Sequence, residues 1–243
     1  MTVSLGRKQN VRRAAVEYRG GGAKAIFYRQ LLEYKKNRFF IFGFNTLVSL
    51  VVGIGFPILL VKTNMAVEAN DNRIFLVPGV MAYIVFIFSG YATKWSQELE
   101  NPYTFLIPDN SFKKLWYSTK IEHIRALIDG IIMAVPASIV LELSPLQIVL
   151  NVLLYMCLMA NKLYYFMLAD FLAGKVLGSV GRTLFKLLMQ AVAISIAAVG
   201  AVLGGILISI EAGFAIMIAL TFLFTLAGAL IAAQAFGKME VVE

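Results

Sequence analysis

One cysteine, Cys157, and one histidine, His123, are all the thiol and imidazole that this chain of 243 residues can offer. A lone cysteine inside an apolar run makes no intrachain disulfide framework, and the pair supplies no metal-ligand cluster. No Gly-x-x-x-x-Gly-Lys-Ser/Thr string is present, so ATP cannot be cradled by a phosphate loop of this chain. No Gly-x-Ser-x-Gly elbow is present either, and His123 reads as a polar residue at the edge of a span rather than a catalytic base. Asp129-Gly130 lacks the partner aspartates that metal-assisted phosphatidyl transfer requires. The chain is therefore expected to be no enzyme, to hold no metal and to bind no cofactor. Charge is scarce as well, at 15% of residues against roughly 25% in soluble domains.

What is abundant is apolar. Hydrophobic residues make up 60% of the chain and the mean hydropathy is +0.79, which a core covered by so few charges cannot explain in water. The fold class read from this is an all-α integral membrane protein. Six spans near the roughly 20 residues needed to cross the hydrocarbon core fall at about 40–61, 74–93, 123–141, 147–171, 184–209 and 212–236. The basic segment ahead of the first span is too long for a signal-peptide n-region, so that span is expected to be retained.

Basic residues fix an expected orientation. Arg7, Lys8, Arg12, Arg13, Arg19, Lys24, Arg29, Lys35, Lys36 and Arg38 precede the first span; Lys94, Lys113, Lys114, Lys120 and Arg125 follow the second; Lys175, Arg182 and Lys186 follow the fourth. The other face has Lys62 and Arg73. The positive-inside rule then puts both termini and the two longer loops in the cytoplasm of a cell-membrane protein. The net charge of +8 is read as meeting anionic lipid, not nucleic acid.

Residues 1–22 read as a basic flexible tail ending in a Gly20-Gly21-Gly22 hinge, and 23–39 as an amphipathic helix lying in the membrane interface. Its apolar face carries Ile26, Phe27, Leu31 and Tyr34, with Arg29 and Lys35 among the interleaved charges. The six-helix domain occupies 40–243. Within it Pro57 is expected to kink its helix, and Pro78 and Pro136 either to kink theirs or only to mark bends that neighbouring groups resatisfy; Gly200-Ala-Val-Leu-Gly204 presents a small-xxx-small packing face. Lys162 is the basic residue well inside a span; it is expected to snorkel or to pair with Asp170, with substrate contact in a cavity as the alternative.

The polar interruption after the second span carries the most information. Glu98, Glu100, Asn101 and Pro102 lead to Tyr103, Phe105, Ile107, Pro108 and Asp109, and Asp109, Asn110 or Ser111 can cap the helix that follows. Apolar Tyr103, Phe105 and Ile107 between two prolines on a water-facing loop call for burial against the chain itself or against a partner.

The run Leu99-Glu-Asn-Pro-Tyr-Thr-Phe-Leu-Ile-Pro-Asp-Asn-Ser-Phe-Lys-Lys-Leu-Trp-Tyr117, with Phe27 to Tyr34 and Leu127-Ile-Asp-Gly130, resembles the membrane subunits of bacterial ABC exporters of the ABC-2 type, in particular the Putative ABC exporter family of Gram-positive bacteria. The resemblance implies a short cytoplasmic coupling helix within about 94–122 that docks on a separate ABC ATPase subunit, which would hold ATP and Mg. It also implies pairing with a second copy or a related permease chain. An amphipathic or hydrophobic cargo, such as a peptide, toxin or lipid-like molecule, suits spans with few charges. The alternative function is a non-transporting membrane scaffold or immunity protein.

Overall fold

The computed structural model describes residues 21–36, 42–63, 70–90, 106–173 and 178–242. Among these every regular element is helical: α1 (Lys24–Lys36), α2 (Phe44–Thr63), α3 (Leu76–Ile87), α4 (Ser111–Val140), α5 (Pro145–Ala173), α6 (Gly178–Leu207) and α7 (Ile210–Val242). Five of them, α2 and α4 to α7, are long and apolar enough to cross a membrane.

The second expected span takes a different form. Its α-helical part is only the 12 residues of α3, flanked by 3-10 turns at Asn70–Phe75 and Phe88–Gly90. Pro78 falls in the first turn of α3, directly after the 3-10 turn, where its missing N–H costs no hydrogen bond of the α-helix.

Tight turns set the neighbours. The α4–α5 connection closes with Leu143 N–H on the Ser138 carbonyl and Glu142 N–H on Ile139, Glu142 sitting at φ 54 where the reversal needs a left-handed residue. Ser144 and Gln147 then bond each other's backbone N–H as a capping box for α5. At the same end of the bundle Arg73 reaches Glu142 and Phe75 meets Phe214. α1 lies at the opposite end, where Gly237 of α7 packs against Ser111.

Helix α5 is the central post. Every residue from Leu158 to Ala169 is buried, the mark of a helix surrounded on all sides. One buried cluster gathers Met81, Val85, Met133, Ala137, Tyr155 and Phe214 towards the turn end, and a second gathers Leu115, Leu163, Tyr165, Met167, Ala232 and Phe236 towards the α1 end. On the outside, Leu47, Val51, Val61, Leu203, Ile206 and Leu207 are exposed, which is the condition of a surface solvated by lipid chains.

Two helix pairs approach backbone to backbone. Pro57 cannot donate to the Gly53 carbonyl, nor Pro136 to that of Ile132, so each helix carries one unbonded rung. The structure sets these two residues together: a Cβ on Gly53 would collide with the Ile132 carbonyl. Between α6 and α7, Gly200 and Gly204 receive Ile216 and Leu220, and Gly213 lies against Ala201 and Gly205. This contact is within one chain.

Candidate functional site

The most elaborate polar construction among the described residues joins α1 to the first half of α4. It begins at Asn110, whose side chain accepts from the Phe112 N–H at 2.9 Å and caps α4. Of the three candidate caps in the sequence this is the one used, and Asp109 is thereby freed for another task. Its Oδ2 accepts the Ala23 N–H at 3.0 Å, and its Oδ1 accepts that of Asn110 at 2.8 Å. The first N–H groups of a helix have no internal acceptor, so Asp109 caps α1 across 86 positions of sequence. Gly22 permits this approach twice over: its φ is +66, and a Cβ there would stand 2.6 Å from the Asp109 carboxylate.

These N–H groups, that of Ala23 first, hold the Asp109 carboxyl below its ordinary value. A carboxyl depressed on folding stabilises above its unfolded pKa, near 3.9, and that stabilisation is lost as pH falls through the folded value. Asp109→Asn keeps an acceptor oxygen but removes the charge. The variant should lose less of its Tm than the parent between pH 7 and pH 3; an equal loss in both would mean that the clasp carries no charge-dependent stability.

Along α1 the residues that face α4 are Ala23, Ile26, Gln30 and Tyr34, all buried. Gln30 donates to the Ser118 carbonyl at 2.9 Å, and Tyr34 OH donates to Glu122 Oε1 at 2.9 Å. Arg125 closes the network, with Nη1 3.0 Å from Glu122 Oε2 and 3.3 Å from Tyr34 OH. The Glu122 and Arg125 side chains are only 9% and 13% exposed, so this ion pair is shielded from water. Arg125 also abuts Gly43 at the entry of α2, where a Cβ would lie 2.6 Å from Nη2. One guanidinium thus joins α1, α2 and α4. Burial, and then the Glu122 charge, push the Tyr34 phenol well above its ordinary value.

Phe27 is half-buried beneath the Lys120 ammonium, 4.8 Å from its ring centre; Leu31 and Arg29 are half-buried, and Lys35 is exposed. Glu98, Glu100, Asn101, Pro102, Tyr103 and Phe105 lie outside the described residues. Ile107 is half-buried and Pro108 exposed in the non-helical approach to Asn110.

Further into the bundle, the Thr46 hydroxyl of α2 reaches Asp129 of α4, which is 1% exposed. His123 bonds Tyr164 at 3.1 Å and lies against Trp116. Asn151 and Asn161 are 0% exposed on α5, with amides that meet no partner among the described residues. Lys162 is buried, and its ammonium donates to the Phe88 carbonyl at the end of α3. That acceptor differs from the two expected ones, the headgroup region and Asp170, whose side chain lies outside the described residues. Glu122, Arg125 and Asp129 were not singled out by sequence as site residues. The signal was there: an i, i+3 ion pair and a further acid in a helix apolar enough to cross a membrane.

An all-helical, multi-pass membrane protein, with a short helix bolted by buried polar groups to one end of its bundle, is the class that fold and site define. The chain belongs to the family described as Putative ABC exporter, whose model matches residues 2–240. It is a component of an ABC-type exporter. No curated protein and no solved structure matches it.

Proposed function

We propose that this chain is the permease subunit of an ATP-driven exporter whose ATP and Mg are bound by a separate ABC ATPase subunit. The observation that carries the reading is the bolting of α1 to α4 through Asp109, Gln30 and Tyr34. A partner pressing on the segment from Glu98 to Asp109 would then move α1 and α4 as one body. Residues 70–90 form the sixth crossing, since α3 with its flanking 3-10 turns extends about 35 Å at 1.5 and 2.0 Å per residue. Helix α1 lies in the interface, with Phe27 and Leu31 towards lipid.

The cargo is amphipathic or apolar. A groove of about 830 Å³ runs between α3 and α6, lined by Gly79, Ala82, Tyr83, Ala198, Val202 and Gly205, and such walls suit hydrocarbon better than a strongly polar solute. Two such chains, identical or related, would enclose the full path.

The experiment is copurification. Anchors at an interface centre supply about 2 kcal/mol or more each, so Tyr103→Ala with Phe105→Ala should strip the ATPase from the purified complex while membrane insertion survives. Full retention of the ATPase by the double variant would remove the coupling role from this loop, and absence of any ATPase from the parent would favour a scaffold. Orientation has its own check. In a Cys157→Ala background, external thiol labelling should mark Asn70→Cys and miss Asn110→Cys; labelling of the second from outside would invert the topology.

A further inference from the structure

Lys162 sits on the part of α5 that is buried on all sides, yet its ammonium is spent on a backbone carbonyl 74 positions away. The acceptor, Phe88, is the residue that closes α3. Carbonyls at a helix C-terminus lack internal donors and carry the negative end of the helix dipole, so a cation there satisfies both needs. Ser89 bonds back to the Phe86 carbonyl at 2.6 Å, so two groups tie off the same turn. One belongs to α3 itself, and the other reaches across from the central post.

Taking an ammonium out of water costs several kcal/mol, and the same turn already has a neutral donor in the Ser89 hydroxyl. A cation is an expensive choice for a cap alone. Beside it lies a void of about 10 Å³, lined by Asn45 and Ser49 of α2, Tyr155 and Met159 of α5, Phe88 and Lys162 itself. That is room for about one water; Val48, Ile84 and Val85 complete a largely apolar wall into which Asn45, Ser49 and Tyr155 bring oxygens. Lys162 thus bonds the end of α3 and shares one void with the oxygens of Asn45 and Ser49 on α2 and Tyr155 on α5.

We propose that Lys162 is a positioning residue of the export cycle, holding the end of α3 against α5 in one state and releasing it onto the Ser49, Asn45 and Tyr155 oxygens in the other. Residues Phe88–Gly90 lead directly into the segment that ends at Asp109, so whatever fixes the Phe88 carbonyl fixes where that segment leaves the bundle. The proposal rests on the reading of that segment as the ATPase contact. Two arrangements of one ammonium supply the bistable element that such a transition needs.

The test uses the full chain copurified with its ATPase in lipid nanodiscs, with phosphate release compared between the complex and the ATPase alone. Lys162→Met keeps the length and loses the donor. It should retain the ATPase at parental stoichiometry but lower the membrane-dependent part of hydrolysis about tenfold, and Lys162→Arg should restore most of it. Hydrolysis at the parental level in Lys162→Met overturns the proposal. So does failure of Lys162→Arg to restore a loss, because a cationic donor is what the role requires. If Lys162→Met is not recovered from the membrane, Ser49→Ala decides: it leaves the bond to α3 intact and removes one acceptor of the other state, and should lower coupled hydrolysis at least threefold, whereas unchanged hydrolysis overturns that state. A parent chain that retains no ATPase sinks the coupling reading first, and this proposal with it; a parent that does so with an insensitive Lys162→Met sinks the proposal alone.

Discussion

Glu122→Leu should destabilise the protein by about 3–5 kcal/mol, the cost of leaving a buried charge without its partner. Arg125 would keep its position near the entry of α2 without the carboxylate that it touches, left with only the more distant charge of Asp129 one turn along α4, and Tyr34 OH would lose the acceptor that it holds at 2.9 Å. Because both charged side chains are at most 13% exposed, water screens little of the loss. The paired comparison is the triple variant Tyr34→Phe, Glu122→Leu, Arg125→Met. Replacing the whole network by apolar groups of similar size should recover most of the stability, and the buried pair then stands as a device for placing α1 and not for strengthening the fold. Unfolding of the purified protein in detergent, followed through the tryptophans, measures both. A Glu122→Leu variant within 1 kcal/mol of the parent would mean that Arg125 has another partner of equal worth.

Gly213→Val should have an effect of similar size for a steric reason. A Cβ at this position would strike the Ala201 carbonyl and come within 2.7 Å of the Gly205 nitrogen, and backbone atoms of a packed helix cannot step aside as a flexible side chain can. Overpacking costs about 1–3 kcal/mol where side chains can shift; here the α6–α7 pair must separate, so at least about 3 kcal/mol is expected. The internal control is Gly205→Ala, whose added Cβ would meet nothing within 4 Å and should leave stability within about 0.5 kcal/mol of the parent. Equal behaviour of the two variants in thermal unfolding would contradict the close approach of α6 and α7.

The contrast between α1 and the long helices shows what a single sequence can reveal. Long apolar runs declare α2 and α4 to α7, because hydrocarbon thickness imposes a length that nothing else in the chain mimics. Residues 70–90 are harder to read, since a 12-residue α-helix extended by 3-10 turns has the apolar content expected of a span without its regularity. On α1 the spacing of Ile26, Phe27, Leu31 and Tyr34 indicates a helix correctly, but the side turned to α4 is that of Ala23, Ile26, Gln30 and Tyr34. Gln30 is buried because Ser118 offers a carbonyl at the matching level, and that offer depends on where α4 lies in space. The site was similarly divided. Asp109 was visible as a capping residue, whereas its use on Ala23, 86 positions earlier, is a property of the folded chain.

Pro57 and Pro136 give the bundle unequal stiffness along its length. Gly53 and Ile132, the residues whose carbonyls they leave unbonded, face each other across α2 and α4, so the two helices lose a rung of their ladders at the same level. On the α1 side of that level, Asp129 binds the pair together through the Thr46 hydroxyl, and Arg125 packs against Gly43. On the far side the pair runs on to the Leu141–Ser144 turn and to the end of α2 at Thr63, with no ion pair between α2 and α4 among the described residues. A displacement begun at α1, were a partner to impose one, would thus be carried stiffly as far as Gly53 and Ile132 and would meet there the one level at which both helices lack a rung, so that their far ends would tilt without unmaking the α1 junction.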